Sequence, residues 1–131
     1  MEMQISLEQG MKVAAEFKGH RVLTDQPVKA GGDNEAPAPF DYFVVSIGTC
    51  VGFFIKRYCQ TKGIDSEGIS VQLTTQHNEK KAVTGFAMTI SVPEGFPDKL
   101  HNALIKVADQ CTVKKTMLSN PDFQITVEKQ A

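Results

Sequence analysis

Three cysteines, at positions 50, 59 and 111, carry the most reactive side chains of this 131-residue chain. A cysteine thiolate is a nucleophile and a metal ligand, and oxidation converts it to a sulfenic acid or a disulfide. Neither C-x-x-C nor H-x-x-x-H spacing occurs, so a metal site is the least favoured of these uses. Two interpretations of Cys50 and Cys111 stay open from the residues alone: small buried hydrophobic side chains, or a redox pair.

Cys59 differs from Cys50 by its position on the helix that the sequence predicts to contain both. Nine residues at about 100° each turn the side chain roughly half a revolution and advance it ~13 Å along the axis. That separation exceeds the reach of a disulfide. We therefore expect Cys59 to take no part in the chemistry of Cys50.

A thiol with a pKa near 8.5 is a weak nucleophile at neutral pH unless a nearby cation lowers that pKa. The chain contains two arginines, Arg21 and Arg57. Arg57 lies on the same helix face as Cys50 but ~10.5 Å along the axis, which is a long reach. Arg21 could be this cation or a solvated strand residue without a role at the thiol, and the two interpretations are equally good. For His20 beside it, both a structural role and a proton shuttle stay open.

The first half of the chain predicts strands that lead into one long helix. Alternating apolar residues, interrupted by Gly10 and Gly19, predict three strands at about residues 3–7, 11–17 and 21–24. Residues 25–39 lack periodicity and predict a surface loop. Pro39 suits a first helical position, and the helix should continue to about Lys62 and end at Gly63. Because its other sides are also apolar, we expect it to be largely buried all round, with one core face formed by Phe43, Ile47, Cys50 and Phe54.

The second half predicts two strands, two helical segments and a last strand. The strands centre on residues 69–73 and 86–92, and a second helix runs from about Pro97 to Cys111. Its core face carries Leu100, Leu104, Val107 and Cys111. A short helical turn over 113–118 precedes a final strand, Phe123–Val127. The predicted order βββ-α-ββ-αα-β is an α+β architecture of antiparallel sheets in one domain, residues 1–131.

Composition excludes several classes of protein. Lys+Arg 14 against Asp+Glu 15 gives a net charge of −1, so the basic surface of a nucleic-acid-binding protein is missing. The longest apolar run, residues 42–55, is shorter than the roughly 18 residues of a membrane span, so no membrane partner is expected. The N-terminal residues lack a secretory signal pattern, and three cysteines do not indicate a disulfide framework. We expect a cytoplasmic protein.

Several motifs together resemble the OsmC/Ohr family. The sequence 36–40 (Ala-Pro-Ala-Pro-Phe) is followed by Gly48-Thr49-Cys50, similar to the family's proline-led helix start 11 residues before its first cysteine. The strand 20–25 leads into a Gly-Gly loop, and 108–111 (Ala-Asp-Gln-Cys) resembles the family's second cysteine at a helix end. The order of elements also agrees over almost the whole chain.

This resemblance implies a thiol-dependent peroxidase that reduces organic hydroperoxides in oxidative-stress defence. Cys50 would become a sulfenic acid, Cys111 would resolve it to a disulfide, and an external dithiol would reduce that disulfide. Arg21 stands in the region where the family places its activating arginine. The resemblance also implies an intertwined homodimer with the long helices at its centre, and no cofactor or metal. An apolar pocket for a small hydroperoxide would be formed by Phe40, Phe43 and Phe54.

Two departures place the chain nearer the less characterised OsmC-like branch. Ohr enzymes carry Asn-Pro-Glu at the helix start, and Phe40 stands at the glutamate position, with Asp41 about 100° further round the helix. Thr112 follows Cys111 where proline is usual. Phe40 favours an alternative function, a non-catalytic dimeric protein that binds a small apolar ligand. A third possibility, a redox-sensing accessory protein, rests on the cysteine pair alone.

Overall fold

The computed structural model of the chain describes residues 1–130. These residues form two compact units, 1–46 and 47–130, and one long helix, α1 (Pro39–Lys62), contributes to both. The predicted α+β class with antiparallel sheets is confirmed. The predicted order of elements also holds, except for its last strand.

The first unit contains an antiparallel sheet of three strands in the order β1-β2-β3. They are β1 (Gln4–Leu7), β2 (Val13–Phe17) and β3 (His20–Thr24). The prediction of a half-buried β1 is wrong, because all four of its residues are exposed and Leu7 is 86% exposed. Within residues 1–46 the only buried apolar side chain is that of Ala14. The alternating apolar residues of β1 therefore form one face of the strand, but no other part of the unit covers that face.

The long loop after β3 is ordered by the buried carboxylate of Asp25. This carboxylate is inaccessible to solvent and accepts backbone N–H groups from Gln26 at 2.8 Å, Glu35 at 3.0 Å and Asp33 at 3.3 Å. The N–H of Glu35, followed by that of Gln26, holds the pKa of Asp25 below its ordinary value against the opposing effect of burial. A loop without periodicity in sequence therefore has a fixed shape.

Lys12 and Gly32 complete this arrangement. The Nζ atom of Lys12 lies 3.1 Å from a carboxylate oxygen of Asp33, 3.2 Å from one of Glu35 and 3.8 Å from one of Asp25. A Cβ atom on residue 32 would lie 2.0 Å from the carbonyl oxygen of Gln26, so only glycine fits there.

Helix α1 has the predicted bounds, Pro39 to Lys62. At its start the carboxylate of Asp41 accepts the backbone N–H of Ala38 at 2.9 Å, which satisfies one of the amide groups that a helix start leaves unpaired. At its end Gly63 takes a φ of +67°, a left-handed conformation that glycine adopts readily and that stops the helix. Local signals in the sequence therefore define both ends.

The burial of α1 differs from the prediction. Its buried residues are spaced by four: Ile47, Val51, Ile55 and Cys59. Only Ile47 of the expected core face is among them, because Phe43, Cys50 and Phe54 are half-buried. Burial all round is also wrong for the single chain, which packs against one stripe of the helix and leaves three side chains about half exposed: Phe40 (48%), Val45 (54%) and Phe53 (56%).

By length and composition alone α1 is apolar enough to cross a membrane, and within residues 1–130 it is the one helix of this kind. Central helices of soluble proteins have the same length and composition. The property is therefore weak evidence for a membrane protein.

The second unit combines a two-stranded hairpin with two short helices. Strands β4 (Ser70–His77) and β5 (Val83–Ser91) pair antiparallel, and α2 (His101–Ala108) and α3 (Thr112–Leu118) follow. The predicted second helix is shorter than expected, since a 3-10 turn occupies Asp98–Leu100 and α2 ends before Cys111. The buried cluster of this unit contains Val51, Ile55, Cys59, Phe96, Leu104 and Cys111.

The predicted final strand does not form in the single chain. Residues 121–130 have neither helix nor strand, and Phe123, Ile125 and Val127 are 87%, 91% and 97% exposed. A strand requires a neighbour that takes its backbone hydrogen bonds. Among residues 1–130 no strand pairs with this segment.

Candidate functional site

Cys111 stands at the junction between α2 and α3, where its side chain caps the second helix. Its Sγ atom accepts the backbone N–H of Lys114 at 3.4 Å, and its thiol lies 3.9 Å from the carbonyl oxygen of Ile47 on α1. The side chain is inaccessible to solvent. The helix cap and the contact with α1 fix the position of this sulfur.

The structure brings Cys50 and Cys111 together. The Cys111 thiol and the backbone N–H groups of Val113 and Thr112, at the start of α3, lie close enough to the sulfur of Cys50 to favour its ionisation. Burial opposes ionisation of Cys50, but the donor from Val113, then that from Cys111 and that from Thr112, outweigh it. The pKa of Cys50 is therefore lower than that of an ordinary cysteine.

The pKa values of Cys111 and Cys59 are raised, in contrast to that of Cys50. Burial raises the pKa of Cys111, and the adjacent Cys50 raises it further, although the N–H groups of Lys114 and Val113 act against this. Burial, with a smaller contribution from Asp65, also raises the pKa of Cys59. Within the pair, Cys50 therefore ionises more readily than Cys111.

Within residues 1–130 no group of three His, Cys, Asp or Glu side chains is arranged to hold a metal ion. The chemistry that the described residues offer at Cys50 is that of a thiolate beside a thiol.

Arg21 lies in the first unit, where it engages two carboxylates. Its guanidinium is 2.5 Å from a carboxylate oxygen of Glu8 and 3.7 Å from one of Glu16. The hydrogen bond to Glu8 raises the pKa of Arg21, and the same bond lowers the pKa of Glu8. Of the glutamates that contact this arginine, Glu8 directly follows β1 and Glu16 lies in β2, whereas Phe40 stands at the helix start.

The three predicted pocket residues belong to different surroundings. Phe40 and Phe43 contact each other in the first unit, with ring centroids 5.5 Å apart. Phe54, in the second unit, contacts Phe53 edge-on and lines a cavity of about 190 Å³ with Arg57, Tyr58, Thr61, Val107 and Gln110. This cavity was missed at the sequence level, although an arginine and an aromatic residue three positions apart on a helix indicate a shared face.

Backbone donors at the start of α3 were also missed. The signal in the sequence is slight: a cysteine directly before a short helix can act as its cap, and the first amide groups of a helix then face the same direction as the cap side chain.

A sequence model of the OsmC-like protein family matches residues 32–126. The chain belongs to the OsmC-like family. The match includes both Cys50 and Cys111. No protein of curated function matches the chain.

Solved structures of this family share the fold at low sequence identity. A protein of Psychrobacter arcticus 273-4, provisionally named an osmotic stress induced and detoxification response protein, is 21% identical with a TM-score of 0.75, over 87% of this chain and 85% of that one. The organic hydroperoxide resistance protein OsmC of Legionella pneumophila is 17% identical with a TM-score of 0.58, over 92% and 91%. An organic hydroperoxide resistance protein of Elizabethkingia anophelis is 15% identical with a TM-score of 0.58, over 92% and 90%. At these identities the likeness establishes the fold of this OsmC-like protein.

Proposed function

We propose that this OsmC-like protein is a thiol-dependent peroxidase that reduces organic hydroperoxides. One observation carries the proposal: Cys50, whose pKa is below the ordinary value, lies beside Cys111 and the amide groups that follow it. A peroxidase of this class needs one reactive thiolate and a second thiol within bonding reach. Proteins of the same fold that are named for organic hydroperoxide resistance support this choice.

In the first step the Cys50 thiolate attacks the terminal peroxide oxygen of R–O–OH. The S–O bond forms as the O–O bond breaks, and the departing alkoxide takes up a proton and leaves as the alcohol R–OH. Cys50 is thereby oxidised by two electrons to the sulfenic acid. The donors from Val113 and Thr112 stabilise the thiolate before this attack.

In the second step the sulfur of Cys111 attacks the sulfenic sulfur. The S–S bond forms, and the sulfenic hydroxyl combines with the thiol proton and leaves as water. An external dithiol then reduces the disulfide by thiol exchange and is itself oxidised. Because the Cys111 thiol already contacts Cys50, this step requires little movement of the chain.

We infer that the working form is an intertwined homodimer in the cytoplasm. The half-exposed side chains Phe40, Val45 and Phe53 on α1 support a second copy around this helix. We further propose that Arg21, oriented by Glu8, assists at the thiolate, and that Phe40, Phe43 and Phe54 favour an organic peroxide over hydrogen peroxide.

The test is reduction of cumene hydroperoxide and hydrogen peroxide with dithiothreitol as the dithiol. We expect turnover of the organic peroxide by the native protein and none by Cys50→Ser. Oxidised before the dithiol is added, Cys111→Ser should complete one turnover and stop at the sulfenic or sulfinic stage, and dimedone traps the sulfenic acid. Cys59→Ser, at a buried thiol outside the pair, is the matched control and should turn over normally. Normal turnover by both Cys50→Ser and Cys111→Ser would refute the proposal.

A second candidate function is a non-catalytic dimeric protein that binds a small apolar ligand. The phenylalanine at position 40, where peroxidases of the family carry the glutamate that orients their arginine, favours it. In that case the native protein would bind cumene hydroperoxide or its alcohol without consuming the dithiol, and dithiol consumption distinguishes the two functions.

A further inference from the structure

Cys111 holds the start of α3 in place as well as offering a thiol to Cys50. Its Sγ atom accepts the backbone N–H of Lys114 at 3.4 Å, and its carbonyl oxygen accepts that of Lys115 at 3.0 Å. Its φ of −45° and ψ of 116° are not helical, as is usual for the residue directly before a helix. Cys111 is therefore the N-terminal cap of α3.

Helix α3 has few other contacts that stabilise it in the single chain. None of its seven described residues is buried, and a helix this short is marginal in water without tertiary packing. Its first turn carries no carboxylate and contains Lys114 and Lys115, whose charges oppose the positive end of the helix dipole. The ion pair of Lys114 with Asp109 lies at the surface and contributes little. The contacts of the two sulfurs are therefore a large part of what fixes this helix.

A disulfide between Cys50 and Cys111 weakens these contacts. The Cys111 thiol lies 3.9 Å from the carbonyl oxygen of Ile47, and this contact needs the thiol proton, which is lost when the bond forms. Both sulfurs become neutral, and such a sulfur is a weak hydrogen-bond acceptor. The charge on Cys50 that the amide groups of Thr112 and Val113 stabilise also disappears. Oxidation thus acts on every sulfur contact at the start of α3.

The burial of Cys111 gives this loosening a use. Its side chain is inaccessible to solvent, and Cys50 is half-buried. Thiol exchange requires the incoming thiolate to reach a sulfur of the disulfide. An opening between α2 and α3 that follows oxidation admits a reductant only when there is a bond to reduce.

We propose that the Cys50–Cys111 disulfide uncaps α3 and opens the junction between α2 and α3, so that an external dithiol reaches the bond. As the bond forms, the two thiols lose two electrons and two protons, which in the proposed reaction reduce R–O–OH to R–OH and water. The inference rests on the proposed function for this oxidant but not for the bond itself, because other two-electron oxidants of thiols also form it.

Hydrogen exchange of the reduced and the oxidised protein, read by mass spectrometry, tests the opening. Diamide serves as the oxidant: it takes two electrons and two protons from the thiols, becomes the hydrazine and requires no peroxide turnover. Peptides from residues 111–118 should exchange roughly threefold to tenfold faster after oxidation, the range expected when a helix loses its cap. The hairpin of β4 and β5 is the internal control and should exchange equally in both states. Equal exchange of residues 111–118 in the two states would overturn the proposal.

Two substitutions at position 111 separate the cap from the bond. Cys111→Ala removes both, so α3 should exchange as fast without oxidant as it does in the oxidised native protein. Cys111→Ser removes the bond but keeps a side-chain acceptor, so α3 should exchange as slowly as in the reduced native protein. Diamide should change neither variant, nor Cys50→Ser, which keeps the cap. Exchange of α3 that is as slow in Cys111→Ala as in Cys111→Ser would mean that the sulfur is not needed as a cap.

The access of the dithiol is measured by the rate at which dithiothreitol reduces the oxidised protein. This rate should be nearly independent of urea below the unfolding transition, because the junction is already open. A rate that rises steeply with urea would mean that the sulfurs stay covered until further surface is exposed, which contradicts the access step.

The same measurements distinguish this inference from the peroxidase function. If the native protein reduces no hydroperoxide but diamide still accelerates exchange in α3, the peroxidase proposal fails and the uncapping stands. If the protein reduces hydroperoxides while exchange in α3 stays the same on oxidation, the uncapping fails and the peroxidase proposal stands. Absence of a Cys50–Cys111 bond after treatment with either oxidant would overturn both.

Discussion

The backbone N–H of Val113 lies beside the sulfur of Cys50 and lowers the pKa of that thiol. Val113 lies two residues after Cys111, so the same short segment provides both a stabilising donor for the thiolate and the second thiol. Donors fixed in a helix start need no reorganisation when the charge appears. The first turn of α3 and the residue before it therefore serve two steps: they stabilise the Cys50 thiolate, and they provide the thiol that attacks the Cys50 sulfenic acid.

Replacing Thr112 tests the contribution of these amide groups. Thr112 is the first residue of α3, where proline is accepted because its φ suits a helix start. Thr112→Pro removes one N–H donor to Cys50 and should raise the pKa of Cys50 while α3 stays folded. Thr112→Ala keeps the N–H and is the matched control. Thiolate absorbance at 240 nm, titrated against pH in a Cys59→Ser/Cys111→Ser background, measures the pKa.

The lowered pKa of Cys50 also predicts how the rate of peroxide attack depends on pH. Because the pKa of Cys50 lies below the ordinary value, the native rate of peroxide attack should rise with pH and level off before an ordinary thiol, with a pKa near 8.5, would be ionised. Thr112→Pro should move this rise to higher pH. Superimposable profiles for the proline and alanine variants would mean that the Thr112 donor contributes nothing to activation.

Oxidation should join Cys50 to Cys111 and leave Cys59 free. The first two sulfurs are already neighbours, whereas Cys59 is fully buried in the core and its pKa is raised. One equivalent of cumene hydroperoxide, followed by alkylation and peptide mapping, identifies the bond. A disulfide that includes Cys59 would contradict the position of this residue on α1.

The ends of α1 could be predicted because Pro39 and Gly63 act locally on the backbone. Its buried stripe could not, since many sides of the helix are apolar and burial depends on which elements the fold packs against it. The proximity of Cys50 and Cys111 followed from the family resemblance and not from spacing, because residues 61 positions apart meet only through tertiary structure. The amide groups of Thr112 and Val113 could not be predicted as donors to Cys50, since every residue type except proline carries a backbone N–H.

Asp25 should stabilise the long loop through its ionised carboxylate. Its backbone donors hold its pKa below the value of about 3.9 in an unfolded chain. The stabilisation is therefore present above pH ~4 and is lost as the pH falls through that value toward the pKa of the folded state. Asp25→Asn should lower the free energy of unfolding at pH 7, and its difference from the native protein should narrow below pH ~4.

Asp33→Asn provides the control for this prediction. Its carboxylate also contacts Lys12, but its side chain is 62% exposed, so the substitution should change the free energy of unfolding by less than about 0.5 kcal/mol. Urea titrations at pH 7 and pH 3 measure both variants. Equal destabilisation by Asp25→Asn and Asp33→Asn would show that the ion pairs of Lys12, and not the buried carboxylate, hold the loop.

The half-exposed apolar side chains of α1 should be covered in a homodimer. Phe53 is 56% exposed in the single chain although it lies in the middle of an apolar helix, and solvent contact of so many apolar side chains on one helix is unfavourable. Phe53→Glu would place a charge in the interface and should shift the protein from dimer to monomer in sedimentation velocity at low micromolar concentration. Lys56→Glu, at an exposed residue one turn further along the helix, is the control and should leave the dimer intact.

A stable, well-folded monomer of the native protein at this concentration would exclude the dimer. Dissociation by both variants would mean that the interface does not depend on Phe53.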